Sequence, residues 1–120
     1  MKYFIAVIIS RNGKFLVKEI NGKVNFPIFE FEKNNGYLLK TLFRVLEEEM
    51  NIIPSEIFFV KRITWKNGIV SIYYVKKFRG KVKKNFVWMS KEKLIKDNLS
   101  FLSIKIFNEI EKHKNSIINN

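Results

Sequence analysis

The stretch Leu38-Leu-Lys-Thr-Leu-Phe-Arg-Val-Leu-Glu-Glu-Glu-Met-Asn-Ile52 has the spacing of an amphipathic α-helix. The helix is predicted to end near Met50, with Asn51 as the left-handed residue that closes it. Glu49 does not fit the pattern, because it projects into the middle of the apolar stripe. That stripe consists of Leu38, Leu39, Leu42, Phe43, Val45, Leu46 and Met50.

Three glutamates crowd the last turn of this helix, where the macrodipole is negative and disfavours each carboxylate by roughly 0.3–1 kcal/mol. Two explanations are open. A hard cation such as Mg²⁺ would be held by carboxylate oxygens of Glu48 and Glu49. Alternatively, Arg44 pairs with Glu47 and Glu48 along the helix, and Glu49 lies at a frayed end.

The composition predicts a small globular protein. The chain has 120 residues, 47% of them hydrophobic, and no cysteine, so a substantial core is expected without disulfides or thiolate sites. We expect one domain over residues 1–114 and a flexible tail over residues 115–120. The apolar run at the N-terminus is too short to cross a membrane, so a cytoplasmic location is expected.

Positive charge is concentrated in one third of the chain. The net charge is +12, and residues 61–97 carry twelve Lys and Arg against two Asp and Glu. This concentration favours an anionic partner, from the phosphates of a nucleotide to a nucleic-acid backbone. The alternative is that the bias reflects base composition, since Lys, Asn and Ile are abundant throughout.

The remaining segments predict an α+β fold. Two pairs of strands are joined by Asn-Gly turns, and two helices close the chain. A mixed β-sheet between helices, as an α/β/α sandwich, is the economical packing. The expected elements are strands at 3–9, 15–20, 24–31, 57–65, 69–78 and 86–88, and helices after Asn34 or Asn35, from Ser90 and over 100–114.

Residues 44–52 resemble the second half of the box of the Nudix (MutT-like) superfamily, which reads Arg-Glu-apolar-any-Glu-Glu-any-Gly-apolar. Val45 replaces the first glutamate of the box, and Asn51 replaces its glycine. Phe26-Pro27 resembles the apolar-proline lead of the family, and residues 86–94 resemble its tryptophan-centred segment. The matching residues are Arg44, Leu46, Glu48, Glu49 and Ile52.

The first half of the box departs from the family pattern. Ile28 and Phe29 stand where the family usually has a glycine pair, and their bulk would fill the space in which the backbone approaches a phosphate. Gly36 stands at the place of a glutamate, and Glu30 at the place of a glycine. Glu32 matches a frequent loop glutamate only if an extra loop residue follows it.

The resemblance implies a hydrolase of a nucleoside diphosphate linked to another moiety, dependent on Mg²⁺ or Mn²⁺. The departures from the box leave open whether its activity is retained, weak or lost. Glu48 and Glu49 would hold the metal, and Arg44 would orient the helix carboxylates. Glu32 or Glu30 would supply a further ligand or base. Basic residues of 61–84 would bind the substrate phosphates. Among these are Lys61, Arg62, Lys76 and Arg79.

The alternative is a catalytically inactive Nudix-fold module, because Val45 removes one of three carboxylates of the family. Such a module would bind a nucleotide or RNA through the basic, aromatic-rich second half of the chain. A third possibility is a scaffold that docks a partner protein.

Overall fold

A computed structural model of the protein describes residues 1–32, 38–96 and 98–117, with side chains up to residue 113. No helix in these ranges is long and apolar enough to cross a membrane. The predicted helix caps Asn34 and Asn35 and the box position Gly36 lie outside the described residues. The elements are β1 Lys2–Arg11, β2 Lys14–Ile20, β3 Lys23–Asn25, β4 Ile28–Phe31, α1 Leu38–Met50, β5 Ile53–Trp65, β6 Gly68–Arg79, β7 Val87–Ser90, α2 Lys91–Lys96 and α3 Phe101–Ile117.

The strands form one mixed sheet in the order β3-β2-β1-β6-β5, with β4 paired to β1 and β7 paired to β2. Strand β1 runs parallel to β6 from the pair Lys2–Gly68 to the pair Ile9–Val75. Beyond Ile9, β1 pairs with β2 instead, through Ser10 and Arg11. The two parallel strands therefore separate at their carboxyl ends.

Helices α1 and α3 cover opposite faces of the sheet. On one face, Leu42, Leu46 and Met50 of α1 pack against alternate residues of β1 and β6, such as Val7 and Val75. On the other face, Ile106, Phe107 and Ile110 of α3 pack against Ile8 and Ile72. Successive strand residues point to opposite faces, which explains the two separate cores. The predicted α/β/α sandwich is confirmed.

The first predicted Asn-Gly turn has the positive φ angles that its sequence favours, whereas Asn67 and Gly68 of the second do not. In the first hairpin, Asn12 and Gly13 have φ angles of 54° and 75°, as a tight two-residue turn requires. In the second hairpin, between β5 and β6, Lys66 has a positive φ angle of 52°. Gly68 is needed for a different reason, because a Cβ there would lie 2.8 Å from Cε2 of Phe4.

Three boundaries differ from the predictions. The extended piece over 24–31 is divided into β3 and β4, because Pro27 lies between them and has no N–H for a ladder. Pro54 lies inside β5, paired with Phe78, which an edge strand tolerates. Helix α3 continues to Ile117, three residues past the expected end of the domain.

Candidate functional site

The C-terminal end of α1, which carries the box-like residues, is fixed by its own closing turn and by the segment after β6. Asn51 has a φ of 61°, and the Ile52 amide donates to the Leu46 carbonyl over 3.1 Å. The Asn51 side-chain amide donates to the carbonyl of Lys81 over 2.9 Å. The prediction that Asn51 takes the left-handed conformation that closes the helix is confirmed.

Cations of the protein itself neutralise this end of the helix. The Lys83 ammonium donates to the main-chain carbonyl of Glu48 over 2.6 Å. Arg44 lies 3.6 Å from the Glu48 carboxylate, and both side chains are more than half exposed. In the described part of the chain, no ion pair joins Arg44 to Glu47, so the expected double pairing is reduced to one pair.

The apolar stripe of α1 is narrower than predicted. Val45 is buried with 7% of its surface exposed, whereas Phe43 is 43% exposed and Leu39 is 53% exposed. Glu49, predicted to lie in the middle of the stripe, is exposed. Burial of an unpaired carboxylate in an apolar core would cost several kcal/mol. Glu49 avoids this cost because the last turn of α1 lies at the margin of the packed face, where its carboxylate remains in solvent.

The residues around α1 do not fit a divalent cation. Residues 1–32, 38–96 and 98–117 contain no group of three or more His, Cys, Asp or Glu placed to hold a metal ion. Residues 33–37 are Lys-Asn-Asn-Gly-Tyr and contain none of these four types. Val45 occupies one expected ligand position, and Lys83 adds positive charge beside Glu48. Glu32 is exposed just after β4.

The structure does not bring the four predicted phosphate-binding residues together. On β5, Lys61 faces α3 and pairs with Glu109 at 3.4 Å. Arg62 points to the opposite face, towards Tyr73. Burial raises the pKa of the Tyr73 hydroxyl above its ordinary value of 10.0, and the charge of Arg62 lowers it in part.

A polar, basic cavity of about 580 Å³ lies where β1 and β6 separate, and we call it the Arg11 cavity. It is adjacent to the start of β5 at the carboxyl ends of two parallel strands, a place where α/β sheets commonly bind ligands. Of the predicted phosphate-binding residues, Lys76 lines it, whereas Arg79 is not among its lining residues. The lining consists of Ser10, Arg11, Asn12, Ser55, Tyr74, Lys76, Lys77 and Phe78.

Aromatic rings hold the guanidinium group of Arg11. It lies 4.2 Å from the ring centroid of Phe78 and 5.6 Å from that of Trp88. The two rings are stacked with an interplanar angle of 16°. At the floor of the cavity, the Ser10 and Tyr74 hydroxyls are hydrogen-bonded to each other. Stacking leaves the N–H donors at the edge of a guanidinium available to an anion.

A second, smaller pocket of about 120 Å³ adjoins the Phe26-Pro27 segment. Ile28 and Phe29, which stand at the usual glycine positions, are part of its wall, as is Phe86. Its volume is below the roughly 300–1,000 Å³ of typical small-molecule sites. The bulky residues that distinguish this chain from the family pattern therefore leave little room there.

The sequence did not indicate a role for Arg11, and it placed Lys83 among the basic residues of 61–84 without predicting its contact with α1. Arg11 stands directly before the Asn-Gly turn and was indistinguishable from any exposed hairpin residue. Its partner Phe78 is distant in the sequence. Lys83 was one of several lysines in a basic turn, and no local pattern indicates which of them reaches α1.

Comparison with known proteins supports the fold. No protein-family model matches the sequence, and no curated protein matches it significantly. Solved structures do match: the ORF135 protein of E. coli has a TM-score of 0.79 at 20% identity, over 97% of this chain and 92% of that one.

Two further structures carry the family name. A MutT NUDIX hydrolase from Burkholderia pseudomallei has a TM-score of 0.73 at 13% identity, over 91% of this chain and 97% of that one. The NUDIX domain of Shewanella oneidensis NrtR, complexed with ADP ribose, has a TM-score of 0.71 at 12% identity, over 92% and 86%. The chain thus has the Nudix fold, in a form whose box helix has diverged.

Proposed function

We propose that this protein is a Nudix-fold module that binds a nucleotide, with its phosphates in the Arg11 cavity, and does not hydrolyse it through a metal. The convergence of Arg11, Lys76 and Lys77 on one cavity of about 580 Å³ carries the proposal. Among the residues that the structure describes, no Asp or Glu lines this cavity, although Glu56 pairs with its lining residue Lys77. Its volume lies within the range of ordinary small-molecule sites.

Arg11 is the main anion-binding group in this proposal. A guanidinium presents a planar fork of donors that matches two phosphate oxygens at once. Because the rings of Phe78 and Trp88 already hold the group, little side-chain entropy is lost when it binds. Lys76 adds positive charge to the lining, whereas the charge of Lys77 is partly compensated by Glu56 at 3.2 Å.

The similar structures are consistent with such a ligand. The NUDIX domain of NrtR is complexed with ADP ribose, a molecule with a diphosphate between two sugars. A diphosphate carries the negative charge that Arg11 and the basic lining of the cavity would bind. The proposal therefore predicts preference for diphosphate-containing nucleotides over nucleosides.

Calorimetric titration with AMP, ADP, ATP and ADP-ribose tests this proposal. Arg11→Ala is expected to weaken binding at least tenfold, since a hydrogen bond to a charged group contributes about 1.5–3 kcal/mol. Arg62→Ala is the matched control, because it removes the same charge from a residue that does not line the cavity. Equal loss in both variants, or no binding by the wild type, would contradict the proposal.

Hydrolysis is the second candidate, favoured by the exposure of Glu48 and Glu49 at the end of the box-like helix. In that case Mg²⁺ or Mn²⁺ would bind these two carboxylates. A screen of nucleoside triphosphates, dinucleoside polyphosphates, ADP-ribose and capped RNA with either metal distinguishes the two candidates. Turnover that disappears in the Glu48→Gln/Glu49→Gln variant would establish the hydrolase.

A further inference from the structure

A second basic cavity lies at the opposite end of the parallel strand pair from the Arg11 cavity. It has a volume of about 390 Å³ and is bounded by Lys2 and Phe4, by residues 65–68 of the β5–β6 turn, and by Leu102 of α3. We call it the Trp65 cavity. Its walls contain aromatic rings and two lysines and, within the described part of the chain, no carboxylate.

Lysine ammonium groups surround the half-buried indole of Trp65. The Nζ atoms of Lys66 and Lys105 lie 5.9 Å and 5.8 Å from its ring centroid. Lys105 also donates to the main-chain carbonyl of Thr64 over 3.0 Å, which fixes its position over the ring. Two ammonium groups therefore lie over the indole ring of Trp65.

These lysines differ from the other lysines near α3 in having no carboxylate partner. Lys61, Lys91 and Lys112 each form an ion pair with Glu109 or Glu111. In contrast, over the ranges that the structure describes, no ion pair includes a lysine of the Trp65 cavity or Lys105. Their charge is therefore available to an external anion.

A second aromatic–lysine pair involves the first residue of α3. Phe101, which directly precedes the cavity residue Leu102 in the chain, is 72% exposed, and the Nζ atom of Lys23 lies 5.2 Å from its ring centroid. Two aromatic rings, each with a lysine ammonium group over it, suit a ligand that repeats an aromatic ring and an anion.

We propose that the Trp65 cavity and Phe101 form a binding site for single-stranded nucleic acid. A base would stack on Trp65 and a neighbouring base on Phe101, while Lys2, Lys66 and Lys105 contact the intervening phosphates. Stacking on aromatic side chains and a basic track for the backbone are the usual elements of sequence-tolerant single-strand binding. The site is separate from the nucleotide cavity and does not depend on it.

Tryptophan fluorescence provides a direct test, because the chain has two tryptophans and Trp88→Phe leaves Trp65 alone. In this background, an oligouridylate of about ten nucleotides is expected to quench the emission of Trp65. Lys66→Ala/Lys105→Ala should weaken binding about tenfold or more. It should also reduce the salt dependence of log K by roughly 1.4, or about 0.7 for each lost phosphate contact.

Matched controls separate this site from general charge. Lys93→Ala/Lys96→Ala removes two positive charges from α2 and should change affinity less than twofold. Phe101→Ser should weaken binding about fivefold or more. Ile95→Ser, which alters a side chain of similar exposure at 66%, should not.

Several results would overturn the proposal. One is the absence of quenching at low salt, and another is an equal loss of affinity in Lys93→Ala/Lys96→Ala and Lys66→Ala/Lys105→Ala. A third is a duplex of the same length that binds as tightly as the single strand. Equal quenching by UMP would show a mononucleotide site instead. Equal quenching by a polyglutamate peptide would show an acidic-protein surface instead.

Discussion

The ammonium group of Lys83 donates a hydrogen bond to the main-chain carbonyl oxygen of Glu48, at 2.6 Å. This contact brings a positive charge to the end of α1, where three consecutive glutamates and the helix dipole accumulate negative charge. In addition, the Lys83 amide donates to the carbonyl of Met50 over 3.3 Å. The sequence offered two explanations for this negative charge, a bound metal ion or pairing with Arg44. In the structure, the ammonium group of Lys83 brings a positive charge to the same place.

Removal of the Lys83 ammonium is therefore expected to destabilise the protein. Lys83→Met should lower the free energy of unfolding by about 1 kcal/mol, because a charge-assisted hydrogen bond and a favourable dipole interaction are lost. Urea denaturation measures this difference. Lys84→Met, the exposed neighbour, is the control and should change stability by less than about 0.5 kcal/mol. Equal effects would show that the contact with Glu48 contributes nothing.

Gly80 is expected to be the least replaceable glycine that the structure describes. Its φ is 111°, and a Cβ there would collide with the carbonyl oxygen of Asn51, which belongs to the turn that closes α1. Gly80→Ala should cost more than about 2 kcal/mol, from strain and collision together.

Gly13→Ala is the comparison that separates these two contributions. Gly13 has a φ of 75°, but a Cβ there would meet no atom within 4 Å. Its cost should be about 1 kcal/mol, from backbone strain alone. If thermal unfolding gave the two alanine variants the same stability, the close approach between Gly80 and Asn51 would be refuted.

Tyr73 is expected to make stability fall at high pH. Burial raises the pKa of its hydroxyl above 10.0 in the folded state, despite the opposing charge of Arg62. The folded protein therefore holds this proton more tightly than the unfolded chain does. The contribution of Tyr73 to the free energy of unfolding is therefore fully present below pH 10, and it is lost as the pH rises above that value through the folded pKa.

Comparison of the wild type with Tyr73→Phe isolates this contribution from those of all other groups. The difference in unfolding free energy between the two proteins should be constant below pH 10. Above it, the wild type should lose stability relative to the variant. A difference that stays constant through the alkaline range would exclude the raised pKa.

Local sequence signals predicted most of the fold. The Asn12-Gly13 turn, the apolar run of β1 and the end of α1 at Asn51 depend on residues close in the chain, so their patterns were sufficient. The functional surfaces depend instead on contacts between distant segments. Arg11 contacts Phe78 and Trp88 because β1 separates from β6 beyond Ile9 and pairs with β2. The hydrophobic periodicity of the sequence does not predict where two strands separate.

The box helix shows the same limit in more detail. The spacing correctly placed Leu42 and Leu46 against the sheet, because helical periodicity determines the buried face. It did not determine the environment of Glu49, because burial in the last turn depends on where the neighbouring segment passes. That segment is the one that carries Lys83, and its position is fixed by Asn51 and Gly80.

The replacement of a box glutamate by Val45 leads to the last prediction, on Mg²⁺. Because Val45 is buried and Lys83 is close to Glu48, Mg²⁺ should leave the thermal unfolding midpoint of the wild type unchanged. Val45→Glu should lower stability by about 2–4 kcal/mol, since it places a carboxylate in an apolar position. Added Mg²⁺ should restore part of this loss, because three carboxylates would then share one side of the helix.

Val45→Gln is the matched control, since it has the same size and polarity without the charge and should show no response to Mg²⁺. Differential scanning fluorimetry with and without the metal measures all three proteins. A magnesium-dependent rise in the midpoint of the wild type that disappears in Glu48→Gln/Glu49→Gln would contradict the prediction. Such a rise would mean that two carboxylates suffice to hold the ion, and the hydrolase would become the better supported of the two candidate functions.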